Sequence, residues 1–362
     1  MRRTWPKHKQ AVEGLQMRRA VVFFAVLALA GCTTQGQHGA GGPAGRRTGI
    51  KLGMVTDVGG LGDKSFNDSA NRGLQIAKAK DGAIVTVLQS RSVTDYEPNL
   101  SALATEGNAL IFAIGFLMHD SLDSVAPRFP RTHFAIVDSI VDRPNVTSIT
   151  FKEEESSFLA GALAGLVTKK GAVGFLGGIQ SPLIEKFQAG FTAGVKSTDP
   201  AARVIVKYTG SFEDVGAGKE YATLLFRDAD IVYAAAGKCG LGVIDEVKSL
   251  PRGDYVIGVD SDQDGLAPGK VLTSALKRVD NAVVQLADDA AHGHPPGGHI
   301  ALGLKQGGVA LTDFAYTKNV LPPGAVATLA AYRSAIIGGR FSVPSTLKEL
   351  SAFNPPHLSA RH

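Results

Sequence analysis

From residue 50 onward, short apolar runs alternate with longer stretches whose apolar residues recur at helical spacing. Runs of Val, Ile, Leu and Phe at 50–57, 83–90, 109–116, 132–139 and 146–151 read as strands. The stretches 69–81 and 96–107 between them read as helices. A second round follows. The segments 156–170, 181–198, 217–229 and 241–250 have helical character, and 172–178, 202–210, 230–237 and 254–263 have strand character. The strand-like runs are continuous rather than alternating, as expected of strands buried on both faces of a parallel sheet. Regular strand–helix alternation predicts right-handed crossovers and an α/β layer fold. No composition break separates the two rounds. The pattern therefore predicts two α/β lobes joined by extended crossings, near 148–154 and 258–264, with a cleft at the carboxyl ends of the strands.

Those strand ends carry Asp57, Phe116, Asp138, Gly177-Gly178, Gly210-Ser211-Phe212, Gly237 and Asp260. An aspartate after a strand often only caps the next turn. Several acids and glycines on one face suit a polar-ligand cleft instead, since acids accept hydrogen bonds and glycines admit close backbone approach. The segment 55–74, VTDVGGLGDKSFNDSANRGL, invites comparison with a phosphate-binding loop. Asp63 stands between Gly62 and Lys64-Ser65, where it breaks the Walker spacing and would repel a phosphate. Gly59, Gly60 and Gly62 also miss the dinucleotide spacing. A nucleotide enzyme is thereby disfavoured. Ser65 with Asp68 fits a helix start capped by the serine, which sets Phe66 and Asn67 beside the first strand. An aromatic face and an amide edge suit a planar heterocycle; on residue chemistry alone, simple packing of Phe66 is an equal alternative.

Composition changes the picture through the leader. Two arginines, the eleven-residue apolar run 20–30 and Leu29-Ala30-Gly31-Cys32 have the form of a secretory signal ending in a lipidation site. That run is too short to span a bilayer. Residues 1–31 are expected to be removed, with Met17 a plausible start, and Cys32 to be acylated. Residues 32–49 then form a flexible tether. The formal charge of +5 belongs to the leader: without residues 1–31 there remain 32 basic and 32 acidic residues. The charge thus gives no reason to expect nucleic acid as a partner. Cys239 has no partner for a disulfide and reads as a small buried residue. His292, His294 and His299 lie amid prolines and glycines and read as a solvated loop, not a metal site.

Six blocks covering nearly all of 50–285 carry a resemblance: VTDVGGLGDKSFNDSANRGL, TFKEEESSFLAGALAGLVTK, VGFLGGIQSPLIEKFQAGFTAGV, YTGSFEDVGAGKEYA, VYAAAGKCGLGVID and IGVDSDQDGLAPGKVLTSALKRVD. Together they resemble the basic membrane lipoprotein (BMP) family, the purine-nucleoside-receptor-like substrate-binding lipoproteins of bacterial ABC importers. The resemblance implies an α/β, type I periplasmic-binding-protein fold: two doubly wound parallel-sheet lobes joined by a multi-crossing hinge. It implies a non-catalytic, cofactor-free monomer on the extracytoplasmic face of the membrane, passing a purine nucleoside to an ABC permease. By the same resemblance Phe66 and Phe212 stack on the base, and Asp57, Asn67 and Asp138 read its edge. Gly237 lets backbone approach, Asp260 takes ribose hydroxyls and Lys277 adds a ribose contact. Lobe 1 is expected over 50–152 plus about 261–292, lobe 2 over 153–260 plus about 293–343, and a tail over 344–362. A same-fold receptor for a sugar, flavin or signalling molecule, a nucleoside-processing enzyme and an adhesin remain the alternatives.

Overall fold

A computed structural model describes residues 49–295 and 297–354, together with 356 and 358. The expected leader, Met17, Cys32 and the tether up to residue 48 lie outside the described residues.

The first lobe begins with β1 (Lys51–Thr56), α1 (Phe66–Asp81), β2 (Ile84–Gln89), α2 (Tyr96–Thr105), β3 (Leu110–Ile114), α3 (His119–Val125), β4 (His133–Val137) and β5 (Val146–Phe151). The chain then crosses into the second lobe. There it forms α4 (Glu153–Val167), β6 (Ala172–Gly177), α5 (Pro182–Thr198), β7 (Arg203–Tyr208), α6 (Val215–Asp228), β8 (Ile231–Ala235), α7 (Gly240–Ser249), β9 (Tyr255–Asp260) and β10 (Val271–Lys277). It returns for α8 (Val279–Ala291) and β11 (Gly298–Leu302), then crosses again to β12 (Val309–Leu311), α9 (Ala325–Ile337) and α10 (Leu347–Ala352).

The sheets are ordered β11-β5-β4-β3-β1-β2 and β12-β10-β9-β8-β6-β7. Every pairing is parallel except β12 with β10. In both sheets the lobe's first strand, β1 or β6, lies between its second and third strands. The winding therefore reverses beside it and leaves a crevice at the strand ends. Central strands β3 and β8 are buried at all five positions, whereas edge strands β2, β7 and β11 are partly exposed along their length. This difference is what continuous and broken apolar runs encode.

The expected lobe boundaries need redrawing. Strand β10 lies in the second sheet, β11 in the first, and α8 packs on α1. Segment 261–292, expected in lobe 1, is thus divided at residue 278, and 293–343 is divided after β11. The later crossings fall at 277–279 and 302–309, rather than near 258–264. The physical reason is that β10 continues the parallel ladder directly from β9, with both faces buried. The return to β5 needs the long α8 crossover. The tail beyond 343 is also partly built: α10 packs against α5, and Phe353 joins Phe341 around Phe158.

Helices α4 and α5 pack so closely that a Cβ on Gly161 would stand 2.0 Å from the Phe191 carbonyl oxygen, and one on Gly194 2.0 Å from that of Phe158. The small residues of α4 therefore serve backbone approach. Helix α4 opens with Glu153, Glu154 and Glu155, acids placed where the helix dipole favours them. The sequence pattern alone had suggested a later start, at 156. No helix among the described residues is long and apolar enough to cross a membrane.

Candidate functional site

The loop between β1 and α1 is held together by its own acids. The Asp63 carboxylate accepts the backbone N–H groups of Ser65, Asn67 and Asp68 and the Asn67 side-chain amide, at 2.7–3.1 Å. Asp63 is 1% exposed, and burial pushes its pKa up against these bonds. Helix α1 is therefore capped by Asp63. The expected cap, Ser65, makes no side-chain bond to the helix. Its hydroxyl instead donates to Asp260 Oδ2 at 2.7 Å and to the Val259 carbonyl at 3.2 Å. A carboxylate two residues upstream can collect several N–H groups at once, whereas a hydroxyl accepts fewer and is better spent on a buried acid.

Six further N–H groups of the loop also have partners within the protein. Those of Val58, Gly59, Gly60, Leu61, Gly62 and Lys64 go to the Tyr96 hydroxyl, Asp57 Oδ1, the Asp57 carbonyl, Gln89 Oε1, Asp68 Oδ1 and Asp68 Oδ2 respectively. A phosphate cradle needs such groups pointing at the ligand. Here they are committed.

Asp57, at the end of β1, is nearly buried, and burial pushes its carboxyl up to about 6, while bonds from Asn67 and Gly59 oppose the rise. Asn67 donates to Asp57 Oδ1 at 2.7 Å and accepts from the Asp57 backbone N–H at 3.3 Å. At the end of β4, Asp138 adopts φ +70°; at the end of β9, Asp260 adopts φ +63°. A left-handed backbone is costly for aspartate and recurs where a side chain must be aimed. Burial raises Asp138 to about 6 and Asp260 to about 7, with Lys277 opposing both rises.

Lys277, at the end of β10, is 2% exposed. Its ammonium lies 2.5 Å from Asp138 Oδ2, 2.9 Å from Glu153 Oε1 and 5.0 Å from the centre of the Phe66 ring. Burial favours the neutral amine, but Asp138, Glu153 and Asp260 hold it charged and well above its ordinary range. Lys186 on α5 reaches Glu153 Oε2 at 2.5 Å. Together Lys186 and Lys277 outweigh the burial of Glu153 and hold its carboxyl below the usual range. Asp138 Oδ1 is buried without a hydrogen-bond partner among the described residues. Such an orphan acceptor calls for a donor from outside.

All eight residues expected at the site, Asp57, Phe66, Asn67, Asp138, Phe212, Gly237, Asp260 and Lys277, line one cavity. It spans about 540 Å³, its solvent mouth included. Gly237 has φ +55°, and a Cβ there would stand 3.2 Å from the Phe212 carbonyl oxygen, so only glycine fits easily. Both lobes contribute. Phe116 of the first meets Phe212 of the second edge to face, ring centres 6.3 Å apart. Ser261 Oγ donates to the Ser65 carbonyl and Gln263 Nε2 to the Lys64 carbonyl, adding to the Ser65–Asp260 bond between the lobes. Sequence reasoning gave no ligand role to Leu183, Ile184 and Phe187 of α5, nor to the hinge pair Glu153 and Lys186. The acidic start of α4 was the available signal for Glu153. Cys239 is buried, with its thiol against the Ser211 carbonyl. The histidines are dispersed: His292 meets the Asp288 carbonyl and His299 the Thr150 hydroxyl.

Comparison with known proteins agrees with this architecture. Residues 50–346 match the Bmp family model, described as ABC transporter substrate-binding protein PnrA-like. An ABC transporter nucleoside-binding protein BmpA of Lactococcus lactis is 38% identical over 90% of this chain and 97% of its own. A CD4+ T-cell-stimulating antigen of Listeria monocytogenes is 39% identical over 80% and 87%. Among solved structures, an ABC transporter solute-binding protein from Aeropyrum pernix superposes with a TM-score of 0.75 at 29% identity, covering 84% of this chain and 96% of that one.

Proposed function

We propose, from the premise that this chain belongs to the Bmp family of PnrA-like ABC-transporter substrate-binding proteins, that its cleft receives a purine nucleoside for delivery to a permease. Relatives and fold are those of solute-binding proteins rather than enzymes. The observation that carries the nucleoside reading is the composition of the cleft wall. Phenylalanines from both lobes border the same cavity as buried carboxylates at the ends of β1, β4 and β9. Flat apolar surface suits a base, and carboxylates suit N–H and hydroxyl donors. Lys277 lies over one face of Phe66, so the base stacks on the other. The Lys277 ammonium donates to Asp138 Oδ2 and pairs by charge with Glu153, which leaves a donor for a ribose oxygen. Asp57, Asn67 and Asp138 form the base end, Asp260 and Lys277 the ribose end, and Gly237 the close backbone wall.

The same reading places the protein on the extracytoplasmic face of the membrane as a monomer, held through acylated Cys32. Bacterial lipoproteins carry more than one chain, which gives firm anchoring where a single chain would be marginal.

Calorimetry with guanosine, inosine and adenosine tests the ligand, using protein unfolded and refolded to strip any carried solute. Heat and saturation with at least one nucleoside are expected; no binding to any of them sinks the reading. Mass spectrometry of the amino-terminal peptide tests the anchor, which is expected as an acyl-modified Cys32.

A further inference from the structure

Hydrogen-bond accounting at Asn67 divides the roles of the base-end residues. The Asn67 side chain has two N–H donors and one carbonyl oxygen. One donor goes to Asp57 Oδ1 at 2.7 Å and the other to Asp63 Oδ2 at 3.1 Å, while the carbonyl oxygen accepts from the Asp57 backbone N–H. The orientation is dictated by its partners, because only the amide nitrogen can face two carboxylates. Asn67 is 2% exposed, so water cannot replace a bond that it gives up. Asp57 Oδ1 also receives the Gly59 N–H. The other carboxylate oxygen, Oδ2, has no such partner among the described residues and lies beside Gly115, where an added Cβ would be 3.2 Å from it and 3.6 Å from the Phe66 ring. The loop's backbone donors from Val58 to Gly62 are committed as well.

We infer that Asn67 is a positioning residue that fixes Asp57, and that among the loop's polar side chains Asp57 reads the base, its Oδ2 accepting a base N–H. This rests on the nucleoside reading for its ligand, but the division of roles is a property of the chain. The favoured solutes are heterocycles with a donor on the edge they present, such as 6-oxopurines or aminopurines. Besides Asn67, the groups facing Asp57 are Asp63 in the loop, Asp138 at the end of β4 and Tyr96 on α2. The two acids disfavour its charge, and the Asn67 bond favours it.

The test compares inosine with unsubstituted purine riboside, whose base has no N–H, on the wild type and on Asn67→Ala, Asp57→Ala and the double variant. Wild type should bind inosine about ten- to a hundredfold tighter than purine riboside. Both single variants should lose that preference, read as the ratio of the two affinities within each protein. The double variant should be no worse than Asp57→Ala. Losses that multiply in the double variant would show Asn67 acting on the ligand directly and would overturn the inference. Asn67→Ser, which keeps one donor, should fall between wild type and Asn67→Ala, and it provides the comparison if the alanine variant folds poorly. A ligand-free arm separates this idea from the nucleoside reading. Carbon-detected NMR titration of the Asp57 carboxyl should give a higher pKa in the Asn67 variants, because the bond that favours the charged form is gone. An unchanged titration overturns the inference even if no nucleoside binds.

Discussion

At the scale of single residues, the cleft is made of groups that the fold makes uncomfortable. Asp260 illustrates the sign. Its folded pKa of about 7 lies above the ordinary aspartate value, so the folded state holds more protons than the unfolded state between about pH 4 and 7. Its contribution to stability is greatest below pH 4 and is lost as pH rises through 7. Asp260→Asn should therefore stabilise the unliganded protein at pH 8 by roughly 1–3 kcal/mol, with a smaller effect at pH 5, as read by chemical denaturation. The same change should weaken nucleosides much more than free bases. A ribose hydroxyl donating to the Asp260 carboxylate favours its charged form, so nucleoside affinity should rise from pH 5 to pH 8, with proton release visible as a buffer-dependent heat. Affinity that falls over this range would remove Asp260 from the ribose end. Phe212→Ala should cost about ten- to a hundredfold in affinity through lost stacking, measured by calorimetry.

At the scale of elements, one helix start and one helix pair decide the geometry. Asp63 gathers four donors at the start of α1, whereas Ser65 gives the helix no side-chain bond. Asp63→Ala should therefore destabilise by about 2–4 kcal/mol, and by more than Ser65→Ala in the same denaturant series. If Ser65→Ala proved the costlier, the cap assignment would fail. In the α4–α5 pair, Gly161→Ala forces a methyl group against the Phe191 carbonyl. A loss of about 2–4 kcal/mol is expected, together with weaker ligand binding, because Leu183, Ile184 and Phe187 of the cleft ride on α5. Helix formers and small residues were legible in the chain, but the cap was not: spacing pointed to Ser65, and the choice of Asp63 depends on loop geometry that spacing does not reveal. Gly161 and Gly194 look like ordinary small helix residues until the partner helix is in place.

For the molecule as a whole, the two lobes touch through Ser65–Asp260, Ser261–Ser65, Gln263–Lys64 and the Phe116–Phe212 edge contact. The hinge side is held by the chain Asp138–Lys277–Glu153–Lys186, buried except at the half-buried Lys186. The former contacts join the lobes across the cleft. A nucleoside at a hundred times its Kd should stabilise the protein by about 2.7 kcal/mol. That should appear as a rise in Tm of several degrees and, in small-angle scattering, as a smaller radius of gyration. Because the hinge charges are buried, moderate salt should change that stabilisation little. Removing Lys277 as Lys277→Met should leave Asp138 buried beside Glu153 without its cation, Lys186 remaining on Glu153. The expected cost is about 3–5 kcal/mol, read by denaturation.

By itself the sequence determined the α/β class, the two rounds of winding, and the placing of Asp57, Asp138, Phe212, Gly237 and Asp260 at strand ends with Phe66 and Asn67 beside the first strand, whereas Lys277 came only from the resemblance. These are carried by local features: continuous apolar runs for central strands, helical spacing, and acids or glycines directly after strands. The resemblance added what each residue faces. Lobe membership of 261–343 was decided only by the tertiary structure, since parallel pairing joins strands far apart in sequence and apolar runs do not name their neighbours. The same holds for Phe187, Glu153 and Lys186, whose proximity to the site depends on how two lobes meet. Asn67 is the clearest instance. Its place beside the ligand loop could be read from the chain, but the commitment of both its donors to Asp57 and Asp63 could not. Hydrogen-bond supply and demand is a property of the packed loop, and it decides which of two neighbouring polar residues remains open to a ligand.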